Sequence, residues 1–261
     1  MTDATPLPVT AGVDGSTTAL HAARWAAAEA EFRGAPLRLV YVTKTPHGST
    51  DDYAEDVRHA HSALHQAQAE VEAAGSAVTV DTAVISGPPA DALIAESTAA
   101  QMMCVGSVGI GRYARSILGS TAADLAEKAH CPVAVIRPDA GGGDQAVNWI
   151  VVAVTDQPDN DDVVEQAMRE AALRHLPVLA LGDSSAPESL RRQLLLWRER
   201  FPDVHIYPID NRAEVTHFLR KHDEPVLLAV IGGRHADQVA QIVGHGHSAF
   251  RHTATSALVV R

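Results

Sequence analysis

Residues 102–136 read MMCVGSVGIGRYARSILGSTAADLAEKAHCPVAVI and decide the fold. An apolar run of strand length, Met102 to Gly106, is followed by a glycine-spaced segment, a segment of helical periodicity from Ser120 to His130, and a second apolar run from Pro132 to Ile136. Such an alternation is typical of parallel strands joined by crossover helices. Neither run alternates polar with apolar residues, which indicates a sheet that helices cover on both faces.

The same alternation extends back to the amino end of the chain. Strands are predicted at Pro8 to Val13, Leu37 to Thr43 and Val78 to Ile85, and helices at Thr18 to Arg33, Tyr53 to Ala74 and Ala90 to Ala99. We expect Gly34 and Gly75 to end the first two helices, because glycine readily adopts the left-handed conformation found at helix C-termini.

After Arg137 the composition changes, and the pattern then starts again. Residues 138–144, PDAGGGD, carry little apolar side chain and three consecutive glycines, so we interpret this region as a linker. Beyond it, strands are predicted at Trp149 to Val154, Pro177 to Leu181, Val204 to Pro208, Val226 to Ile231 and Ala257 to Val260, and helices at Asp161 to His175, Glu188 to Phe201, Arg212 to His222, His235 to Val243 and Ser248 to Thr255. The sequence therefore predicts an α/β chain of two doubly wound, five-stranded parallel-sheet domains in tandem. These are residues 1–138 and 146–261, joined by residues 139–145, as in a diverged duplication.

Composition and charge exclude several classes of protein. The 261 residues include 21 basic and 32 acidic side chains, a formal net charge of -11, which opposes binding to a nucleic-acid backbone. The chain has no apolar run of about 18 residues and no secretory pattern at its start, so we expect a soluble, cytoplasmic protein that does not enter a membrane. Cys104 and Cys131 both lie in apolar runs, which predicts buried thiols rather than a disulfide framework.

Two clusters of residues lie where predicted strands end, and open parallel sheets bind ligands at such ends. The first is Gly12-Val13-Asp14, in which Asp14 either accepts hydrogen bonds from a ligand or merely caps the turn. The second runs from Gly106 and Gly109 to Gly119-Ser120-Thr121, at a predicted helix start. Glycines let the backbone approach a phosphate, and the amides and hydroxyls of a helix start donate to its oxygens. The second cluster therefore predicts an anion site.

Other chemistries find less support in the sequence. No G-K-[ST] occurs, so a phosphate loop with its lysine is not predicted. The fourteen histidines complete no recognisable tetrahedral set, and no metal site is predicted. No nucleophile stands beside a base in any way that spacing reveals, so catalysis is not predicted either.

The pattern Gly106-x2-Gly109-x9-Gly119-Ser120, with Gly12-Val13-Asp14 and the ending HCPVAVI at 130–136, resembles the universal stress protein family. ATP-binding members of that family carry G-x2-G-x9-G-[ST]. The resemblance covers residues 8 to 138 through these motifs and the remainder through layout alone. It implies a strand order of 3-2-1-4-5, with strands one and four on either side of the point where the strand order reverses.

The resemblance also implies a ligand and the residues that hold it. ATP would lie with its adenine and ribose end towards Asp14, and the backbone of Val42 would line the adenine pocket. Ribose and phosphates would be held by Gly109, Gly111, Arg112, Gly119, Ser120 and Thr121, with Gly12, Val13 and Gly106 in the same motifs. Bound Mg²⁺ is expected to compensate the triphosphate charge in an acidic protein.

The second domain departs from the family pattern. His235 stands at the position of the second glycine after Gly232, and Gly244 comes one residue early. Asp156 and Asp159 are the candidates to replace Asp14. We expect this domain to bind ATP poorly or not at all, and to pack against the first as an intramolecular pseudo-dimer. Whether two chains also pair as a homodimer is left open by the sequence.

The function implied is a nucleotide-dependent regulator of the stress response that acts on an unidentified protein partner. We expect no enzyme, beyond weak ATP hydrolysis. The alternative is a scaffold or chaperone-like interaction protein that works without nucleotide. A phosphoacceptor receiver with Asp14 as acceptor is disfavoured, because Ser86 and Arg137 stand where a receiver has its aspartate and its lysine.

Overall fold

The chain divides into two compact units, Met1–Pro138 and Asp139–Arg261, in a computed structural model. The structure describes residues 6–43, 50–109, 118–138, 148–183, 185, 187–244 and 255–261. We refer to the two parts as the first and the second unit. The predicted linker, residues 139–145, lies outside the described residues.

The first unit alternates strands with helices. Its strands are β1 (Val9–Val13), β2 (Leu37–Thr43), β3 (Val80–Ser86), β4 (Met102–Gly106) and β5 (Val133–Ile136). Its helices are α1 (Thr17–Arg33), α2 (Thr50–Ala73), α3 (Pro89–Glu96) and α4 (Ser120–Lys128), with a 3-10 turn at Ser97–Ala99. The strands begin and end within about two residues of the predicted ones, because their apolar runs form the buried centre of the sheet.

All neighbouring strands of the first unit are parallel, in the order β3-β2-β1-β4-β5. Val9 of β1 lies opposite Leu37 of β2 on one side and Met102 of β4 on the other. The strand order therefore reverses between β1 and β4, as predicted. The turns that follow β1 and β4 diverge there and leave a crevice at the carboxyl ends of the strands.

Helix α1 packs directly on the centre of this sheet, against β1 and β4. It does so through small side chains, since Ala22, Ala23, Ala26, Ala27 and Ala30 are all buried. Alanine also has the highest helix propensity. The helix ends at Gly34, whose φ of 60° is the left-handed conformation that the sequence predicts there.

The second unit has the same architecture. Its strands are β6 (Trp149–Ala153), β7 (Val178–Asp183), β8 (Ile206–Asn211), β9 (Val226–Gly232) and β10 (Ser256–Val260), and its helices are α5 (Asn160–Arg174), α6 (Pro187–Arg200), α7 (Val215–Lys221) and α8 (Val239–Gly244). The strands are parallel, in the order β8-β7-β6-β9-β10. Counted within the unit, this is again 3-2-1-4-5.

Strand register relates the two units residue by residue. Ala11 lies opposite Cys104, two residues before Gly106, and Val152 lies opposite Val230, two residues before Gly232. Because Gly106 ends β4 and Gly232 ends β9, we treat these two glycines as equivalent, and Ala11 then corresponds to Val152.

The same offset continues through the helix that follows. The ion pair of the buried Glu29 with Arg33 in α1, at 3.2 Å, corresponds to that of the buried Glu170 with Arg174 in α5, at 2.9 Å. The left-handed residues after them, Gly34 and His175, also correspond. The two units therefore share individual contacts as well as the same fold.

The second unit differs from its predicted helices in three places. The helix predicted from Arg212 begins only at Val215, because Ala213 has a φ of 51°, which is outside the helical region. The helix predicted from His235 to Val243 consists of a 3-10 turn, Gly233–Gln238, followed by α8. Residues 248–254 of the last predicted helix lie outside the described residues.

Two further expectations can be compared with the structure. Within the described ranges, no helix combines the length and the apolar character needed to cross a membrane. Cys104 and Cys131 are both buried thiols, as their positions in apolar runs predict.

Candidate functional site

A cavity of about 660 Å³ opens at the carboxyl ends of β1 and β4 in the first unit. Nine of the eleven residues proposed from the sequence line it, namely Gly12, Val13, Asp14, Val42, Gly106, Gly109, Gly119, Ser120 and Thr121. Gly111 and Arg112 lie outside the described residues. Segments separated by more than 90 residues in the sequence thus meet at one place, and the volume is that of a small-molecule site.

Asp14 lies in the turn between β1 and α1. Its Oδ1 accepts a hydrogen bond of 2.9 Å from the backbone N–H of Ser16. Ser16 Oγ in turn accepts one of 3.2 Å from the N–H of Ala19, which makes Ser16 the N-cap of α1. The carboxylate of Asp14 therefore holds the turn, and it also lines the cavity. The two roles considered for Asp14 are compatible.

Two glycines of the motif stand close to neighbouring groups, Gly109 to the end of the Asp14 side chain and Gly106 to the backbone of Thr18. A Cβ built on Gly109 would collide with Oδ2 of Asp14. A Cβ on Gly106 would stand 2.6 Å from Oγ1 of Thr18 and 2.8 Å from the carbonyl carbon of Thr18. Gly119 is different, because its nearest neighbour would be the carbonyl oxygen of Ser107 at 3.6 Å, an ordinary contact. Gly106 and Gly109 thus let the end of β4 approach the first turn of α1 and Asp14.

The segment between β4 and α4 is closed at its base by a short backbone contact. The N–H of Gly119 donates to the carbonyl of Ser107 at 2.7 Å, and the N–H of Ser107 donates to the carbonyl of Ile136 at 2.8 Å. Gly119 is the N-cap of α4 and makes no side-chain capping bond. Ser120 and Thr121 then open the helix, where the first N–H groups have no intrahelical acceptor. This wall of the cavity therefore presents hydrogen-bond donors.

The opposite wall is formed by the end of β2 and carries a residue that the sequence reasoning did not single out. Tyr41 lines the cavity beside Val42 and is 9% exposed. Burial raises the pKa of its phenol, and the negative charges of Asp56 and Asp14 raise the pKa further. Its position, one residue before Val42 at a predicted strand end, was the signal available in the sequence.

The second unit has a cavity of about 420 Å³ at the matching edge of its own sheet. By the strand register, Thr155 takes the position of Asp14, three residues beyond Val152 as Asp14 is beyond Ala11. Asp156 and Asp159, the two candidates named from the sequence, do not hold that register position, although both line the second cavity. His235, three residues after Gly232, takes the position of Gly109, as predicted.

The lining of this second cavity carries more charged side chains than that of the first. Among the described residues it includes four carboxylates and two guanidinium groups, namely Asp156, Asp159, Asp183, Glu214, Arg212 and Arg234. Asp156 accepts hydrogen bonds from Ser189 at 3.0 Å and from Gln193 at 2.7 Å.

The turn after β6 is held together by an amide and a guanidinium. Asn160 accepts from the N–H of Thr155 at 2.8 Å and donates to the carbonyl of Ala153 at 2.9 Å. Arg234 pairs with Asp159 and donates to Gln157 at 3.0 Å. The hydrogen bond from Arg234 lowers the pKa of Asp159. Sequence reasoning missed both Asn160 and Arg234. Arg234 contacts residues more than 70 positions away, which only the fold brings near, whereas Asn160 bonds within its own turn, where its position just after Asp159 was the available signal.

The fold and the position of the first cavity define the class, a protein of two doubly wound α/β units in tandem with a cavity at the switch point of the first. The model of the universal stress protein family matches residues 8–137. A universal stress protein of Mycobacterium tuberculosis is 52% identical to this chain over 259 residues, which cover 96% of this chain and 94% of that protein. The chain belongs to the universal stress protein family.

Two further similarities extend over both units. A second universal stress protein of Mycobacterium tuberculosis is 33% identical over 271 residues, covering 98% of this chain and 96% of that protein. The crystal structure of a universal stress protein from Archaeoglobus fulgidus covers 97% of this chain, with a TM-score of 0.69 and 15% identity, and shows the shared fold. The tandem arrangement is therefore found in full-length relatives.

Proposed function

We propose that the first unit binds ATP in the cavity between β1 and β4, and that the occupied and empty forms present different surfaces to a protein partner in the stress response. The observation that carries this proposal is the convergence of nine residues proposed from the sequence on one cavity of about 660 Å³. A ligand shifts such an equilibrium only through different affinities for the two forms. The proposal therefore requires that ATP binding and surface exposure be coupled.

The residues present suit an adenosine polyphosphate. The backbone of Val42, the ring of Tyr41 and the carboxylate of Asp14 would receive the base and ribose. The phosphates would lie against Gly109 and the start of α4, where main-chain N–H groups and the hydroxyls of Ser120 and Thr121 can donate.

Magnesium would reach this site together with the nucleotide. Within the described ranges, no group of three or more His, Cys, Asp or Glu side chains is placed to hold a metal ion. Asp14 is the one carboxylate among the described residues that line the cavity. Mg²⁺ would then be held mainly by phosphate oxygens and water, as is usual for this ion.

The proposed role is binding rather than catalysis. The described lining of the first cavity contains hydroxyls, one phenol and one carboxylate, but no histidine or lysine beside a nucleophile. Turnover of bound ATP would then be slow, at the rate allowed by water entering the site.

The second unit is not proposed to bind ATP. His235 replaces the glycine that leaves room at the wall of the first cavity, and Thr155 replaces the aspartate. Four carboxylates against two guanidinium groups also disfavour a polyphosphate. One nucleotide per chain is therefore expected.

Titration calorimetry with ATP tests the proposal on the full chain. Wild type should bind one ATP, and Gly109→Val should bind at least about tenfold more weakly because the new side chain meets Asp14. His235→Val places the same side chain at the matching position of the second unit and should leave binding unchanged. Hydrogen exchange with and without ATP then reports whether the surface responds.

Each outcome decides between the alternatives. If wild type binds no adenine nucleotide, the nucleotide-dependent regulator is wrong and the nucleotide-independent scaffold becomes the leading function. If His235→Val rather than Gly109→Val weakens binding, the site lies in the second unit. Circular dichroism of each variant separates lost binding from lost folding.

A further inference from the structure

A buried hydroxyl ties the first turn of α1 to the segment that follows β4. Oγ1 of Thr18 donates to the carbonyl oxygen of Val108, and Thr18 is 8% exposed. Ser16 Oγ lies 3.0 Å from Oγ1 of Thr18. Because the Thr18 proton is used on Val108, Ser16 supplies the proton of that second bond. The contact joins residues 90 positions apart, so only the fold creates it.

In the second unit the positions that correspond to Thr18 and Val108 are also connected, but by an ion pair instead of a hydroxyl hydrogen bond. Asp159 stands seven residues after Val152, as Thr18 stands seven after Ala11, and Arg234 stands two residues after Gly232, as Val108 stands two after Gly106. Arg234 pairs with Asp159. A tie between helix start and loop is therefore present in both units, as hydroxyl to carbonyl in the first and as guanidinium to carboxylate in the second.

The hydrogen bond from Thr18 to Val108 determines which way the neighbouring backbone N–H points, and so whether it can reach a ligand. The carbonyl of Val108 and the N–H of Gly109 belong to one trans peptide, so they point in opposite directions. When Thr18 holds the carbonyl towards α1, the N–H of Gly109 is directed away from α1. In the second unit the guanidinium of Arg234 pairs with the carboxylate of Asp159, so the connection is made by two side chains.

We propose that Thr18 is a positioning residue of the nucleotide site, which fixes the Val108–Gly109 peptide so that the N–H of Gly109 meets the phosphates. This inference rests on the proposed function, since it assigns Thr18 a task within that site. Thr18 does not touch the ligand, and it is not among the residues that line the cavity. Thr18 affects ATP affinity only by orienting the Val108–Gly109 peptide. Removing its hydroxyl should therefore weaken binding of the phosphates and leave binding of the adenine as it is.

The test compares ATP with adenosine on the full chain. Thr18→Val keeps the branched shape and removes the donor, so ATP should bind about tenfold more weakly, the equivalent of one lost hydrogen bond, while adenosine affinity changes less than about twofold. Thr18→Ser restores the hydroxyl and should recover ATP affinity to within about twofold. The ratio of the two affinities is the readout, because general loosening of the fold would weaken both ligands together.

Thr10 provides a matched control. Its side chain is 1% exposed in β1, and its hydroxyl has no hydrogen-bond partner among the described residues. Thr10→Val makes the same chemical change in the same unit and should leave both affinities unchanged. If Thr18→Val does not fold, Thr18→Ser and Thr18→Ala differ in the hydroxyl and give the same comparison.

The failures are distinguishable. If wild type binds ATP and Thr18→Val binds it equally well, or loses ATP and adenosine in the same proportion, the role of Thr18 is overturned while the nucleotide site stands. If wild type binds no ATP, both proposals fall together.

Discussion

Replacing Gly106 by alanine should destabilise the first unit, whereas the same change at Gly119 should not. At Gly106 the new Cβ would stand 2.6 Å from Oγ1 and 2.8 Å from the carbonyl carbon of Thr18. Normal contacts between such atoms are about 3.5 Å, so the first turn of α1 must move by several tenths of an ångström. The backbone of Thr18 cannot turn aside as a flexible side chain would.

The size of the effect follows from these contacts. Overpacking of this kind costs about 1–3 kcal/mol, so Gly106→Ala should lower the free energy of unfolding of the first unit by about 2 kcal/mol. At Gly119 the nearest contact is 3.6 Å, and the φ and ψ of -75° and 151° are open to any residue. There the entropic gain of about 0.4–1 kcal/mol and the weaker N-cap offset each other, and the net change should stay within about 0.5 kcal/mol.

Differential scanning calorimetry of both variants measures this difference. A loss of about 2 kcal/mol corresponds to a fall in Tm of roughly 6 °C for a unit of this size. Urea titration gives the free energy independently. Equal stability of Gly106→Ala and wild type, or equal losses in both variants, would refute the claim that Thr18 is the reason for glycine at position 106.

Three further changes test other parts of the structure. His175→Gly relieves a left-handed φ of 54°, so the urea midpoint should rise by the equivalent of about 0.5–1 kcal/mol, and an unchanged midpoint would contradict this reasoning. Thr10→Val removes a buried hydroxyl that has no partner among the described residues, so the free energy of unfolding should rise by about 1 kcal/mol, and a fall would indicate a hidden partner. The raised pKa of Tyr41 means that the folded state keeps the phenol proton longer than the unfolded state does, so stability is lost as the pH rises above the ordinary value of 10.0. Tyr41→Phe should reduce that alkaline loss in urea titrations between about pH 9 and 11, and parallel pH profiles would rule out the assignment.

Much of the fold is predictable here because strand length, apolar runs and glycine positions are local properties. The runs that form β2 and β4 coincide with the observed strands, and Gly34 ends α1 in the expected conformation. The start of α7 is not predictable in this way, since the positive φ of Ala213 reflects the surrounding structure and alanine has no local preference for it.

In the candidate site, too, some features follow from local sequence and others depend on contacts that only the fold creates. The spacing of Gly106, Gly109 and Gly119 brings the right segments together, and the structure places all three on one cavity. The groups that crowd two of these glycines are the backbone and side chain of Thr18 and the carboxylate of Asp14, which lie about 90 positions away in the sequence. In the second unit, strand register is needed to identify Thr155 as the positional counterpart of Asp14, although Asp156 and Asp159 also line that cavity.

The backbone contact between Ser107 and Gly119 has a practical consequence for engineering. The N–H of Gly119 donates to the carbonyl of Ser107 at 2.7 Å, so the chain leaves β4 and enters α4 at one place. Peptides of other lengths can be grafted between them, because each doubling of loop length changes the closure entropy by only about 0.6 kcal/mol. If the proposed nucleotide site is correct, exchanging that segment for the one of a relative and measuring ATP affinity tests whether the segment influences ligand binding.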